Sequence, residues 1–405
     1  MTKEKGPFTP LEAKKVKIFT CGPSIYQRPH IGNYRTFLYE DLLIRFLEFQ
    51  GNQVDRIINL TDIEDKSIEE AHSKGEKMAD MTSNAADYFR KETKELHIKL
   101  PKILPSSSST INEAAEITKT LIEKGFAYKH TDGVFFDPLK SKNFGKLFGL
   151  DMTRWPEKRL RFKKDTYNGN RWNRGDFILW HADKGEHIHF WDSVVGRGRP
   201  SWNIQDPAII HSHLGEQIDI NCGGIDNIYR HHDYNIAIME ALTGKEYAQI
   251  YLHGEHLVVD GSSMSKSRGN ILYPEHIYDK GFSPEELRFF LTSQVHYRKK
   301  LNFTWTHIEK SSQRLKVIRK MIEQLTILKN GSPDKSDEQE VLISTLENDF
   351  IMAMEDDLHL AEGINSVEKN LKLMIKIYPD GLDAKNKYKL KTAVEKIDTI
   401  LCCLI

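Results

Sequence analysis

Two short polar stretches of this sequence carry side chains suited to binding phosphate groups. His30-Ile31-Gly32-Asn33 follows a turn and opens a run with helical spacing, and Gly261–Asn270 is a polar loop with Lys266 at its centre. The first N–H groups of a helix have no partner within it, and the helix dipole favours negative charge there. Taken alone, the first stretch is equally compatible with an ordinary strand–helix turn that carries a histidine.

The elements that position the first stretch alternate between strand and helix over residues 1–100. Val16–Thr20 is predicted as a buried strand, and apolar residues then recur at helical spacing. Gln53–Leu60 is predicted as the second strand, with Asn59 and Thr61 at its C-terminal edge, where open α/β sheets bind ligands. Further short apolar runs predict parallel strands at 202–204, 218–220 and 250–252.

Composition excludes several classes of protein. The chain has 405 residues, of which 39% are hydrophobic and 29% charged, as in soluble globular proteins. It contains no stretch near the ~20 apolar residues of a membrane span, and its N-terminus leads into no secretory segment, so we expect a cytoplasmic protein. Four cysteines do not make a disulfide framework at this length, and the formal net charge is zero.

Charge is nevertheless uneven along the chain. Between Arg154 and Arg174 basic residues outnumber acidic ones, and Trp155, Tyr167 and Trp172 lie among them. Such a stretch can bind an RNA backbone and stack on unpaired bases. From these residues alone, a solvated loop is the preferred interpretation.

The two polar stretches resemble the H-I-G-H and K-M-S-K-S motifs of class I aminoacyl-tRNA synthetases, in the same order and roughly a catalytic domain apart. Neighbouring motifs narrow the resemblance to the cysteinyl-tRNA synthetase family. These motifs are Thr20–Tyr26, Asn59–Lys66, Gly223–Asp226 with His231-His232, and His296–Arg298 with Leu301-Asn302. The resemblance covers nearly the whole chain, from Phe8 to about Leu401.

The resemblance implies an α/β fold with a class I, Rossmann-like nucleotide-binding core, a parallel sheet, an insertion domain and a C-terminal α-helical bundle. We expect the first half of the catalytic domain at 1–100, an acceptor-facing insertion at 101–200 and the second half with the signature loop at 201–270. A connecting helical segment at 271–310 and the bundle at 311–405 follow. The family usually carries a further small anticodon-binding domain, and none is visible in this sequence.

The resemblance also implies ATP-dependent activation of cysteine as cysteinyl-adenylate and its transfer to tRNA(Cys), with Mg²⁺ bound to the ATP. We expect His30, Asn33 and Lys266 to be catalytic, because reactions at phosphate depend mainly on positioning and charge stabilisation. Asn33 stands where the family has a second histidine, so we expect the activity with an altered rate. The expected ATP-binding residues are His30, Gly32, Asn33, Asp226, Met264, Ser265 and Lys266.

Family members select cysteine by binding its thiolate to a zinc ion held by two cysteines, a histidine and a glutamate. The corresponding residues here are Cys21, Asp206, His231 and Asn235, so two ligand positions have changed. Three arrangements stay open: zinc on the remaining donors, zinc with a sulfur from Cys222, or a pocket without metal. Because asparagine is a poor zinc ligand, these positions predict weak zinc binding or none. The expected amino-acid-binding residues are Cys21, Thr61, Trp202, Asp206, Asn221 and His231.

We expect a monomer whose partners are tRNA(Cys), ATP and cysteine, with no membrane association. One alternative is a ligase of the same lineage that attaches cysteine to an amino sugar, and the basic stretch Arg154–Arg174 argues mildly against it. Another is an inactive paralogue that only binds tRNA. The retained His30, Gly32, Lys266 and Asp226 argue against an inactive protein.

Overall fold

The computed structural model describes residues 4–150, 176–185, 190–327 and 335–405, so the basic stretch Arg154–Arg174 lies outside the described residues. The chain divides into two compact units. Unit 1 contains Met1–Arg28, Val54–Tyr88 and Leu100–His253, and unit 2 contains Pro29–Gln53, Phe89–Lys99 and Gly254–Ile405. No helix in the described part of the chain is long and apolar enough to cross a bilayer.

The described residues form strands and helices along the whole chain. The strands are β1 (Lys15–Thr20), β2 (Gln53–Ile58), β3 (Ala127–His130), β4 (Gly133–Phe136), β5 (Phe177–Ala182), β6 (Gly198–Pro200), β7 (Ile218–Gly224), β8 (Ala248–Gly254), β9 (Leu257–Val259), β10 (Ser262–Ser263) and β11 (Leu301–Phe303). The helices are α1 (Ile31–Phe49), α2 (Asp65–Lys74), α3 (Met78–Glu95), α4 (Ile111–Glu123), α5 (Trp202–His213), α6 (Asp233–Thr243), α7 (Pro274–Tyr278), α8 (Pro284–Ser293), α9 (Trp305–Ile327), α10 (Ser336–Glu355), α11 (Leu360–Ile377) and α12 (Ala384–Leu401).

Unit 1 is built on a sheet with strand order β2-β1-β7-β8, in which β1 and β7 run parallel. Ile18, Phe19 and Thr20 of β1 lie opposite Ile220, Asn221 and Cys222 of β7. The two strands therefore end at the same edge of the sheet, and Cys21 and Gly223 follow them there. A second, antiparallel sheet, β3-β4-β5-β6, packs with α4, α5 and α6 around an aromatic core. The mixed α/β fold predicted from the sequence is confirmed.

One predicted element was wrong. Trp202-Asn203-Ile204 does not form a strand but begins α5, where the Ser201 side chain accepts a hydrogen bond from Asn203 N. Every residue from 203 to 210 is buried, including the polar Asn203, Gln205 and Asp206, so burial does not follow the helical period that distinguishes a helix from a strand. In the bundle, α10 ends at Glu355, and just beyond it Asp357 and Leu358 both adopt positive φ angles, of 59° and 57°.

In unit 2, helix α1 is buried around most of its circumference, and its buried residues include Arg35, Glu40 and Asp41. The Arg35 guanidinium donates to the carbonyl oxygens of His256 and Lys299, which precede β9 and β11. Those two strands pair in parallel, and β9 leads into the loop that carries Lys266. Helix α1 is thus connected through one side chain to the segments that support this loop.

A buried ion pair between Arg288 of α8 and Asp41 of α1 joins the helices of unit 2. Arg288 Nη2 lies 2.7 Å from Asp41 Oδ2, and neither side chain is exposed to solvent. The other Arg288 donors bind the carbonyl oxygens of Leu96, His97, Ile400 and Leu401. Burial by itself raises the pKa of Asp41, but Arg288 and Arg45 outweigh that effect and keep the pKa below its ordinary value. The carboxylate therefore stays charged, and the stability it contributes is lost only as the pH falls through this lowered pKa.

Replacing Arg288 by methionine should lower the free energy of unfolding by about 3–5 kcal/mol, because Asp41 is then a buried charge without its partner. Urea denaturation followed by circular dichroism measures the loss. The matched control is Arg314→Met, which removes a partly exposed pair with Glu368 and should cost under about 1 kcal/mol. Equal effects of the two changes would show that burial of the Arg288 pair does not matter to stability.

Candidate active site

The predicted phosphate-binding stretch His30–Asn33 forms the N-terminus of α1. His30 is the N-cap residue, and its Nδ1 accepts a hydrogen bond from Asn33 N at 3.3 Å. In return the Asn33 side-chain oxygen accepts from His30 N at 2.9 Å, so the two residues cap the helix reciprocally. The side-chain oxygen of Asn33 therefore stabilises the start of α1. Sequence reasoning assigned Asn33 to phosphate binding only and did not foresee this role.

The loop that carries Lys266 lies beside this helix start within unit 2. The Met264 methyl group packs so close to Gly32 that a Cβ there would lie 2.7 Å from it. Ile31 N donates to Leu272 O at 2.9 Å, which ties the exit of the loop to the first residue of α1. Inside the loop, Ser265 N donates to Asn270 Oδ1. Lys266 is exposed at the start of a short 3₁₀ turn, Lys266–Arg268. All of the residues predicted to bind the nucleotide, except Asp226, therefore lie in unit 2.

In unit 1 the predicted amino-acid residues surround the Asp206 carboxylate, which is almost fully buried on α5. Asp206 Oδ2 lies 2.8 Å from His231 Nε2, 3.4 Å from Asn235 Nδ2 and 3.8 Å from Cys21 Sγ. Its other oxygen accepts from Asn59 Nδ2 at 2.9 Å. The structure therefore brings together all four residues that match the zinc positions of the family.

His232 is a fifth member of this cluster. Its Nε2 lies 3.0 Å from Cys21 Sγ, and its Nδ1 lies 2.8 Å from Nε2 of His253. The two adjacent histidines lie on a π-helical turn, Ile228–His232, which is closed by the hydrogen bond from Asp233 N to Ile228 O. Such turns occur frequently at functional sites. One ligand atom each of Cys21, His231 and His232 lies within 4.8 Å of the others.

The two histidines have opposite electrostatic surroundings. Burial lowers the pKa of His231, but the Asp206 carboxylate outweighs burial, so the pKa is raised above its ordinary value. Burial also lowers the pKa of His232, and here His253 and His231 lower it further. His232 is therefore a neutral ring at neutral pH, and a neutral imidazole has one nitrogen that can accept a proton or a metal ion.

The remaining predicted residues lie around this cluster. The Trp202 ring stacks on the His231 ring with centroids 5.4 Å apart. Thr61 Oγ1 accepts from Asn59 Nδ2, and Asn221 Oδ1 accepts from the hydroxyl of Tyr247. Asp226 is exposed on a short 3₁₀ turn after β7. Unit 1 thus also holds the carboxylate predicted to bind the ribose.

Cys222 does not share the face of the sheet on which Cys21 lies. Cys222 pairs with Thr20, and successive residues of a strand point to opposite faces, so the position opposite Cys21 is Gly223. A Cβ on Gly223 would lie 2.9 Å from His232 Cε1, which confirms that this face carries the histidine. The register therefore separates the Cys222 thiol from the Cys21 thiol.

Sequence reasoning missed three members of the cluster, Asn59, His232 and His253. Asn59 was placed at the ligand-binding edge of the sheet, but no role was assigned to it. His232 lies within one of the motifs that carry the resemblance, where no role could be read from its position. His253 lies at the end of β8 and belongs to none of these motifs. Only the three-dimensional placement of β8 next to β7 brings it to His232.

The fold and the paired polar stretches define a class I tRNA synthetase. The family model described as "tRNA synthetases class I (C) catalytic domain" matches residues 7–313, and the chain belongs to this family. Solved structures agree on the fold: methionyl-tRNA synthetase of Mycobacterium tuberculosis in complex with methionyl-adenylate has a TM-score of 0.68 at 13% identity, covering 97% of this chain and 90% of that one.

Its curated relatives are named cysteine–tRNA ligase. The protein of Brachyspira hyodysenteriae is 32% identical over all of this chain and 85% of the relative. The protein of Brevibacillus brevis is 36% identical, over 91% of this chain and 78% of the relative. The archaeal protein of Thermococcus onnurineus is 34% identical over similar shares, 91% and 77%. The family resemblance predicted from the motifs is therefore confirmed.

Replacing Gly223 by alanine should displace the His232 ring. The new methyl group would lie 2.9 Å from Cε1 of a ring that is held on both sides, so the ring cannot move freely. We expect a loss of about 1–3 kcal/mol in the free energy of unfolding and a shift of the His232 imidazole signals in ¹⁵N NMR spectra. Gly6→Ala is the control, because a Cβ there meets no atom within 4 Å. Unchanged imidazole signals in the Gly223 variant would contradict the predicted displacement.

Proposed function

We propose that this chain activates cysteine with ATP and transfers the cysteinyl group to tRNA(Cys), the activity for which its relatives are named. The observation that carries the proposal is the junction of the α1 start with the Lys266 loop, next to a family match over residues 7–313. A helix N-terminus, a capping histidine and a lysine loop form a site for the phosphates of a nucleotide.

In the activation step, the amino-acid carboxylate attacks the α-phosphate of ATP and pyrophosphate leaves. His30 and Lys266 are proposed to stabilise the charge that develops on the phosphates, with Mg²⁺ bound to the ATP itself. Gly32, Asn33, Met264 and Ser265 form the surface on which the nucleotide lies, and Asp226 is proposed to accept hydrogen bonds from the ribose hydroxyls. The Asn33 amide caps α1 but carries no charge, so we expect activity at an altered rate.

The amino acid is proposed to bind at the cluster around Asp206. Cys21 and His231 provide the groups nearest to an incoming thiol, and Trp202 and Thr61 form the sides of the pocket. Asn221 lies on the same face of the sheet as Cys21 and fixes the Tyr247 hydroxyl. Cys222 is left out of the proposed site, because it lies on the other face.

We propose that tRNA is the acceptor of the cysteinyl group and that the chain acts as a monomer in the cytoplasm, where ATP and tRNA are available. The basic, aromatic stretch Arg154–Arg174 is proposed to contact the RNA. This part of the proposal rests on the sequence. Transfer to an amino sugar is the second candidate, and it shares the activation step.

One experiment distinguishes these possibilities. Pyrophosphate exchange with each amino acid measures activation, and charging of purified tRNA then measures transfer. Exchange that depends on cysteine, followed by charging, supports the proposal. Exchange without charging of tRNA favours a small acceptor such as an amino sugar, and no exchange with any amino acid favours an inactive paralogue.

Lys266→Ala should slow adenylate formation by about 10²–10³-fold and leave cysteine affinity nearly unchanged, because the lysine charge is needed mainly in the transition state. Pyrophosphate exchange gives the rate, and isothermal titration calorimetry gives the affinity. Lys266→Arg keeps the charge and should recover part of the rate. If cysteine affinity fell together with the rate, the loop would have a function other than stabilising the transition state.

Reversing the charge at Lys163, Lys164 and Arg171 to glutamate should weaken tRNA charging and reduce its dependence on salt, because contacts to phosphates are removed. Pyrophosphate exchange should remain nearly intact in the same protein. If exchange falls together with charging, the stretch has a structural role and the proposed RNA contact is wrong.

A further inference from the structure

We propose that Asp357, on the turn between α10 and α11, is a positioning residue for the loop that carries Lys266. The carboxylate of Asp357 binds the segment that precedes β11, and β11 in turn binds the residues from which the loop starts. The proposal rests on the proposed function, in which Lys266 stabilises the transition state of cysteine activation. It makes that step depend on a residue of the helical bundle.

The turn that carries Asp357 has an unfavourable backbone conformation. Asp357 and Leu358 have φ angles of 59° and 57°, so two consecutive residues other than glycine lie in the left-handed region. Such residues normally occur singly, because Cβ comes close to the following carbonyl oxygen. Conformations of this kind persist only where surrounding contacts hold them, and they are found mainly at functional sites. The contacts of Asp357 therefore indicate what the turn does.

Asp357, whose side chain is only 13% exposed, accepts hydrogen bonds from three consecutive residues. Tyr297 donates its hydroxyl to Asp357 Oδ1 at 2.8 Å. Arg298 binds both carboxylate oxygens, from Nη2 to Oδ1 at 3.1 Å and from Nε to Oδ2 at 3.1 Å. The carbonyl oxygen of Asp357 accepts from His296 Nε2 at 2.8 Å. One residue of the turn therefore binds the whole segment 296–298.

The same segment is also bound by α1. The Tyr297 ring stacks on the Tyr39 ring, with centroids 4.8 Å apart and an angle of 15° between the planes. The carbonyl oxygen of Lys299 accepts from the Arg35 guanidinium. Two side chains of α1 and the Asp357 carboxylate thus act on one short segment. Removal of the carboxylate leaves the segment without its contacts to the bundle turn.

The chain passes from this segment into β11, which contacts the start of the Lys266 loop. Asp260 N donates to the carbonyl oxygen of Phe303 at 3.0 Å, and Gly261 N donates to the side-chain oxygen of Asn302 at 2.8 Å. β11 also pairs in parallel with β9, the strand that leads into the loop. Contiguous packed strands and hydrogen bonds of this kind can carry energetic coupling. A displacement of β11 therefore changes the position from which the loop starts.

Asp357→Gly in the full chain tests the proposal. Glycine adopts positive φ angles freely, so the turn is preserved when the carboxylate is removed. We expect kcat for pyrophosphate exchange to fall about tenfold and the KM for cysteine to change by less than about twofold. Asp357→Asn keeps an oxygen that can accept from Tyr297 and should recover part of the rate. Glu340→Gln is the control, because it removes ion pairs with Lys385 and Lys389 elsewhere in the bundle and should leave the rate unchanged.

A double-mutant cycle with Lys266→Ala shows whether Asp357 acts through the loop. In the Lys266→Ala protein, Asp357→Gly should slow pyrophosphate exchange by less than about twofold further, because the charge that the loop positions is already absent. Effects that multiply would mean that Asp357 acts independently of the loop, and the proposal would be wrong.

Amide hydrogen exchange at Asp260 and Gly261 measures the same connection without the enzymatic reaction. We expect these amides to exchange at least about fivefold faster in Asp357→Gly than in the unaltered protein. Tyr297→Phe keeps the ring on Tyr39, removes only the hydroxyl, and should give a smaller increase at the same amides, so it decides if Asp357→Gly does not fold. Unchanged amides in the folded variants would overturn the proposal. Responding amides in a protein without any pyrophosphate exchange would contradict the proposed function but support the placement of the loop by Asp357.

Discussion

The burial of helix α1 is the constraint on which unit 2 depends. A helix surrounded by protein cannot leave its charged side chains unpaired, because an isolated charge in the interior is very unfavourable. Asp41 is therefore bound to Arg288, and Arg35 to carbonyl oxygens of the segments before β9 and β11. The Arg35 contacts also hold the first part of α1 against the segments before β9 and β11, and β9 leads into the Lys266 loop. Stability and the position of the proposed phosphate site are thus provided by one set of interactions.

Unit 1 also contains a buried charged side chain that needs partners, Asp206. The buried Asp206 carboxylate requires hydrogen-bond donors. Asn59 comes from the segment after β2, and His231 and Asn235 come from the helical segment after β7. These hydrogen bonds fix the orientation of the carboxylate and of the three side chains around it. The Asp206 carboxylate thereby organises the neighbouring polar side chains into a network.

Features that depend on residues close together in the chain could be predicted from the sequence, and features that depend on contacts between distant residues could not. His30, Lys266 and the alternation of strands and helices lie in contiguous patterns, so they were predicted and the fold was confirmed. The start of α5 at Trp202 was predicted as a strand, because a fully buried helix shows no polar face. The role of His232 could not be predicted, since it depends on a contact with His253, 21 residues further along the chain.

The π-helical turn at Ile228–His232 determines where the two adjacent histidines lie. In a regular α-helix successive side chains point about 100° apart, so two adjacent histidines cannot readily face one pocket. The wider turn reduces that angle but is rarely adopted by a relaxed backbone. In this structure the wide form places His232 beside Cys21 and His231 beside Asp206, so the backbone register and the positions of the two rings are linked. The hydrogen bond from Asp233 N to Ile228 O is therefore the backbone contact on which the placement of both histidines depends.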